Sequence, residues 1–225
     1  MTARVFAFRH SAAVLALLVL GACSGEQSAF APSGVEAARV NTLFWVMTIG
    51  GGLILAGVVA FTAFAILGNA RWRRVLSGER LILGGGLAFP VVTLSALLVY
   101  SYATQANPGG AIGPEQAMRV EIIGKQWWWR VRYHAPDGST FESANELRIP
   151  VGEPVRLELK SADVLHSFWA PRLAGKLDMV PGRTNVLTIT ANEPGISRGQ
   201  CAEYCGGAHA FMAFHVVALE PEAFA

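Results

Sequence analysis

Cys201-Ala202-Glu203-Tyr204-Cys205-Gly206-Gly207-Ala208-His209-Ala210-Phe211-Met212 is the stretch on which the rest of the chain turns. It holds two thiols, an imidazole and a thioether in one short loop. Soft sulfur donors with imidazole suit copper, zinc or iron–sulfur clusters. A closing Met points to copper, for which a thioether is a familiar weak axial ligand. Gly206 and Gly207 turn the loop, so both Cys can converge on one centre. The spacing C-x-E-x-C-x3-H-x2-M is long and mixed, and far more specific than a bare C-x3-C. In an oxidising compartment the competing reading is a disulfide with a packed His and Met.

A copper site of this kind needs a second His. His10 lies in an apparent leader. His134 sits beside Pro136-Asp137-Gly138 and reads as a turn residue, and His215 continues a strand. That leaves His166, just after a strand and well upstream of the Cys loop. One ligand on an early loop and the others on a later one is how a β-sandwich builds a mononuclear blue-copper site. A second thiolate allows two copper ions bridged by both sulfurs.

The residues around these ligands alternate as strands do. Met118–Ile122 and Val155–Leu159 have period two, and Trp127–Tyr133 has it in part. Asn185–Thr190 and Phe214–Leu219 read as further strands. Pro136-Asp137-Gly138, Pro150 with Gly152, Pro181-Gly182 and Pro194-Gly195 break them. Short strands with turn signals between them predict an all-β sandwich or barrel over 118–225. There is no internal repeat.

Of 225 residues, 52% are hydrophobic and only 15% charged, a balance that suits a membrane protein carrying one soluble module. Val40 to Ala70 contains no charge, and Leu43–Leu67 is long enough to span a bilayer. A second apolar run covers Leu81 to about Tyr102, with Pro90 inside it as a tolerated kink. Gly84-Gly85-Gly86 would allow close helix packing. Residues 39–103 are therefore expected as a transmembrane helical hairpin. The connection carries Arg71, Arg73, Arg74 and Arg80 against Glu79, which places it in the cytoplasm and both flanks outside.

Upstream, Arg4, Arg9 and the apolar Ala12–Leu20 look like an export signal over 1–22. Leu20-Gly21-Ala22-Cys23 resembles a bacterial lipobox, which would make Cys23 the lipid-modified first residue. Residues 23–38 and 104–117 read as linkers. From Ala103 onward acids slightly outnumber bases, mildly favouring a basic protein partner. No basic cluster with interleaved aromatics suggests nucleic-acid binding.

Taken together, these segments resemble subunit II of the haem–copper oxidases, in the version carrying the dinuclear CuA centre. Gly124-Lys125-Gln126-Trp127-Trp128-Trp129 is similar to the family's G-x-Q-W-aromatic-W segment. Asn145–Gly152, Asp163–Phe168 and Lys176–Arg183 resemble its neighbouring segments, and the Cys loop matches at every ligand. The resemblance implies a two-helix transmembrane hairpin followed by an all-β cupredoxin-like sandwich, in a bacterial inner membrane with the sandwich on the periplasmic face. It implies that Cys201 and Cys205 bridge two coppers, that His166 and His209 bind one each, and that Met212 is a weak ligand. The Glu203 carbonyl would be the other weak ligand, with the Glu203 side chain directed to a magnesium site at the large subunit. Trp127 would be where electrons arrive from cytochrome c. The implied partners are subunit I, subunit III, cytochrome c and the lipid bilayer. The chain would be the electron inlet of an enzyme whose oxygen chemistry lies on another subunit.

Two features depart from the family pattern. Its proton-uptake Glu near the start of the second helix is replaced by Leu83, with Glu79 one turn earlier as a substitute. Its acidic docking patch is thin, and Arg130 and Arg132 flank the Trp segment. Quinol oxidases share the fold but lack the copper ligands. Nitrous oxide reductase carries a similar loop without predicting a helical hairpin. The alternative from another class is a membrane-anchored copper chaperone or thiol oxidoreductase, which would require alternating strands and helices. A lipoprotein scaffold with a structural disulfide is the third.

Overall fold

The computed structural model describes residues 24–71, 73, 78–105, 117–135 and 137–224. The expected signal segment, Cys23 with its lipid, and most of the 104–117 linker lie outside these residues. The chain divides into a helical unit, Thr42–Pro108, and a second unit that joins the N-terminal segment up to Asn41 with Gly109–Ala225.

Helix α1 (Val35–Leu67) and helix α2 (Glu79–Gln105) are each long and apolar enough to cross a membrane, with mean hydropathies of 2.2 and 2.1. Neither has a polar stripe, and their only buried residue is Ala37, near the start of α1. Helices apolar on all sides and unburied by protein suit a lipid solvent. Two hydroxyls in them are satisfied internally: Thr62 Oγ1 donates to the Val58 carbonyl at 2.8 Å and Thr104 Oγ1 to that of Tyr100 at 3.0 Å.

Pro90 is accommodated by a change of register. Ile82–Ala88 is π-helical, and the Phe89 N–H donates to the Gly84 carbonyl, five residues back. The expected close packing on Gly84-Gly85-Gly86 is absent among the described residues, because an added Cβ at each would meet open space. Glu79 begins α2, in its first turn.

Among the described residues, the second unit is built from ten strands. They are β1 (Met118–Lys125), β2 (Trp128–His134), β3 (Thr140–Ala144), β4 (Glu146–Pro150), β5 (Val155–Ser161), β6 (His166–Trp169), β7 (Leu177–Met179), β8 (Asn185–Ile189), β9 (Gly195–Cys201) and β10 (Ala213–Leu219). They form two five-stranded sheets, ordered β3-β2-β1-β5-β8 and β4-β10-β9-β6-β7. The pairs β1–β5 and β4–β10 are parallel. Alternation sends Val120, Ile122, Leu157 and Leu159 inward from the first sheet, and Phe168, Phe214 and Val216 inward from the second. Trp129 joins the two layers, its ring meeting Phe214 edge-on at 5.0 Å and Phe168 at 6.0 Å. Each such fully buried side chain contributes roughly 1.5–3 kcal/mol.

The chain changes sheets at Asn145, whose φ of 59° is a left-handed conformation that Asn tolerates. Its side-chain oxygen accepts the Trp129 N–H at 2.8 Å, and its own N–H returns a bond to the Trp129 carbonyl.

The outer face of the first sheet is charged. Arg132 lies opposite Glu142 on β3 and Glu121 on β1, and Glu121 is gripped by Arg132 at 2.8 Å and Lys160 at 2.6 Å. Arg119 lies opposite Arg156 on β5, where Glu158 sits between them in charge.

Residues 24–38 are no open tether, contrary to the linker reading. They form a strap hydrogen-bonded along the sandwich. The Ser33 and Gly34 N–H groups donate to the Arg172 carbonyl, Val35 to Thr190 and Ala37 to Leu173. Asn192 and Arg198 return bonds to Ser33 and Glu26. Gly34 is required where the strap touches, since a Cβ there would lie 2.5 Å from the Leu173 carbonyl oxygen. The sandwich therefore draws on both ends of the chain.

Candidate metal centre

Three segments meet at one end of the sandwich. Strand β6 opens with His166, and β9 closes with Cys201. The loop after β9 brings back Cys205, His209 and Met212 before β10 begins. The loop is shaped by its own backbone. Cys201 N–H donates to the Met212 carbonyl at 2.9 Å, and Ala202 N–H to that of Ser167 at 3.0 Å. A 3₁₀ turn over His209–Phe211 then aims His209 and Met212 back at the thiols. Gly206, at φ 117°, takes the conformation that the bend needs.

The sulfurs of Cys201 and Cys205 are 3.8 Å apart, and both thiols are free. Nδ1 of His166 lies 3.8 Å from the Cys201 sulfur, and Nδ1 of His209 lies 3.5 Å from that of Cys205. The Met212 sulfur is 3.7 Å from Cys205, and the Glu203 carbonyl oxygen 3.1 Å from Cys201. His166, Cys201 and Cys205 alone form a compact group able to hold an ion. The structure thus brings together all six residues singled out in the sequence. Metal–thiolate bonds are about 2.3 Å long, so sulfurs at this separation can share an ion. Two thiolates, two imidazoles, a thioether and a carbonyl are the donor chemistry that copper takes.

Burial works to raise the Cys201 thiol, but His166 and the backbone groups of Glu203 and Ser167 outweigh it and hold the group well below its usual value. Burial and the neighbouring Cys201 charge push Cys205 up. The two sulfurs titrate as a pair in which charge on one opposes ionisation of the other, so a bound cation would favour the thiolate form of both.

Residues whose roles the sequence did not disclose hold this set in place. Asp163 Oδ1 lies 2.7 Å from His166 Nε2, leaving Nδ1 to face the sulfur. Burial works to raise the Asp163 carboxyl, and the N–H groups of Gln126 and Val164 together with His166 bring it down. The Cys205 carbonyl accepts from Gln126 Nε2 at 2.7 Å and from the Trp127 indole N–H at 3.2 Å. Trp127 is 41% exposed, so its ring runs from the surface to a ligand residue. The Glu203 carboxylate sits 3.9 Å from the Lys176 ammonium. His134 and His215 are exposed strand residues of β2 and β10 and take no part in this cluster.

Comparison with known proteins follows the same residues. The family profile described as "Cytochrome C oxidase subunit II, periplasmic domain" matches residues 134–219, a span that contains the whole ligand set. The cytochrome c oxidase subunit 2 of Alkalihalophilus pseudofirmus is 33% identical over 92% of this chain. Residues 134–219 belong to the periplasmic-domain family of cytochrome c oxidase subunit II. The chain spans 63% of the length of that relative. Among solved structures, the periplasmic domain of subunit II from Bradyrhizobium japonicum is 33% identical, with a TM-score of 0.46, covering 50% of this chain and 91% of that one. A subunit of a haem–copper terminal oxidase dimer is 20% identical, with a TM-score of 0.45, covering 60% of this chain and 98% of that one.

Proposed function

We propose that this chain is the electron inlet of a terminal respiratory oxidase, and that Cys201 and Cys205 would hold the copper pair of a CuA centre. One observation carries the reading: two thiols 3.8 Å apart, each with its own imidazole nitrogen, at 3.8 Å and 3.5 Å. His166 and His209 would each supply an imidazole to it, with Met212 and the Glu203 carbonyl as weaker donors. When bound, the copper pair supplies a one-electron relay whose charge change is spread over two metals and two thiolates. The protein's own part is to hold geometry. Asp163 fixes the His166 ring, Gln126 and Trp127 fix the Cys205 backbone, and the buried Trp129–Phe168–Phe214 cluster stiffens the floor.

Trp127 receives electrons from a cytochrome c at the surface and passes them through its bond to the Cys205 carbonyl. The haem–copper subunit I takes them onward to oxygen with proton translocation, and subunit III completes the assembly. The Glu203 side chain would be a donor to a magnesium ion at the subunit I interface. The two apolar helices cross the bacterial inner membrane, with the sandwich on the periplasmic side and Cys23 lipidated. A thiol oxidoreductase of thioredoxin type is disfavoured, because the described residues after Ala117 form a two-sheet sandwich in which the longest helix is the four-residue Pro221–Phe224.

Loading the full-length chain with copper in detergent tests this. Two copper ions per chain and a seven-line electron paramagnetic resonance spectrum are expected. A four-line spectrum from a single copper, or no copper uptake, overturns it.

A further inference from the structure

Two indoles from one hairpin hold two points of the metal loop. Strands β1 and β2 pair on either side of Gln126 and Trp127, and Trp129 follows two residues later on β2. The Trp127 indole N–H donates to the Cys205 carbonyl at 3.2 Å, inside the loop. The Trp129 indole N–H donates to the Met212 carbonyl at 3.4 Å, where the loop ends. That second carbonyl also accepts the Cys201 N–H at 2.9 Å. One oxygen thus ties a thiol residue and the thioether residue to the same indole. Trp129 is only 1% exposed, so water offers its N–H no substitute partner.

Trp129 is itself held from behind. Asn145 Oδ1 accepts its main-chain N–H at 2.8 Å, and the Asn145 N–H returns a bond to its carbonyl. The Asn145 carbonyl accepts the N–H of His215 at 2.9 Å, three residues beyond Met212 on β10. Met212, His215, Asn145 and Trp129 therefore close a circuit that crosses from one sheet to the other.

We propose that Trp129 is the positioning residue for Met212: its indole N–H fixes the Met212 main chain, and so sets how closely the thioether approaches the thiols. The inference rests on the reading of this cluster as a copper centre. A Met side chain has three rotatable bonds, and a thioether is too weak a ligand to place itself. The Met212 sulfur, 3.7 Å from that of Cys205, must then be placed by its backbone and its packing. Edge-on contacts with Phe168 and Phe214 account for the bulk of Trp129 but not for its N–H.

Trp129→Phe in the full-length chain keeps an aromatic ring against Phe168 and Phe214 and removes the donor. In the metal-free protein with reduced thiols, exchange of the Cys201 amide hydrogen should quicken roughly three- to tenfold, the worth of about one hydrogen bond. The Met212 methyl resonance should move with it. Trp128→Phe, on the opposite face of β2, should change neither. In the copper-loaded chain the reduction potential should rise, because a slackened thioether gives less to the oxidised state. Met212→Leu should cancel that rise, which separates an effect through Met212 from one through the His166 ring, 6.3 Å from that of Trp129. Asn145→Gly keeps the left-handed φ, removes the acceptor for the Trp129 N–H, and should give the same changes in smaller measure. It decides by the same readouts should Trp129→Phe fail to fold. Unchanged Cys201 exchange with an unmoved Met212 methyl overturns the proposal, as does a potential shift that persists in the Met212→Leu background. Failure of the parent chain to take up copper would sink the copper reading instead, and the metal-free exchange would still decide the role of Trp129.

Discussion

A Cβ placed on Gly124 would lie 2.8 Å from Cδ2 of His166 and 3.1 Å from its Cγ. The bare backbone of β1 is therefore the wall against which the imidazole rests. Gly124→Ala should force the ring aside or bend the strand, costing about 1–3 kcal/mol in the metal-free protein. Its clearer signature is a changed copper hyperfine pattern, because one of the two imidazoles has moved. An unaltered spectrum with ordinary stability would show that the ring is not seated on this wall.

Asp163→Asn keeps the size of the side chain and removes its charge. An amide oxygen can still accept from His166 Nε2, but without the negative charge that strengthens the bond and holds the ring. Copper affinity should fall by roughly 10–100-fold, the usual cost of losing such a support. Competition with a chelator measures it.

Cys201→Ser and His166→Ala should each abolish the dinuclear spectrum while leaving the helical unit and its membrane insertion intact. Flotation with membranes checks the second half. Insertion that failed together with copper binding would mean that the helices depend on the metal loop.

Glu121 gives a pH prediction. Burial works to raise its pKa, but Lys160 and then Arg132 outweigh burial and hold it below the ordinary 4.5. A depressed carboxyl contributes stability that is complete above its unfolded value. That contribution is lost as pH falls through the lower, folded value. Stability of the sandwich should therefore decline below about pH 4.5. Glu121→Gln should cost about 1–2 kcal/mol at neutral pH and flatten the acid limb. Thermal unfolding across pH 3–7 would show both.

The sequence displayed the ligands openly because metal chemistry restricts residue type and spacing. Cys201, Cys205, His209 and Met212 are legible in one dozen residues. The strands with period-two patterns, such as Val155–Leu159, were equally plain. Strand β6 was not, since His166–Trp169 is buried along most of its length and shows no alternation. Asp163 and Gln126 stood within recognisable segments, yet their partners are His166 and a backbone carbonyl far along the chain, and only folding reveals that pairing. The strap escaped for a similar reason. Ser33 and Gly34 have linker composition, while their partners are main-chain groups that carry no sequence signal.

The strap has a practical corollary for anyone wishing to isolate the sandwich. A fragment cut to start at Ala117 would be born with a bare seam along Leu173 and Ala191, where Ser33 to Ala37 ordinarily lie. Expression boundaries drawn from the contiguous C-terminal piece alone discard part of the fold. A soluble version is better spliced from two stretches, joining residues 24–38 by an artificial tether to the remainder. By the same reasoning, a protease nick between the two helices should leave the amino-terminal piece clinging to the sandwich without any covalent link.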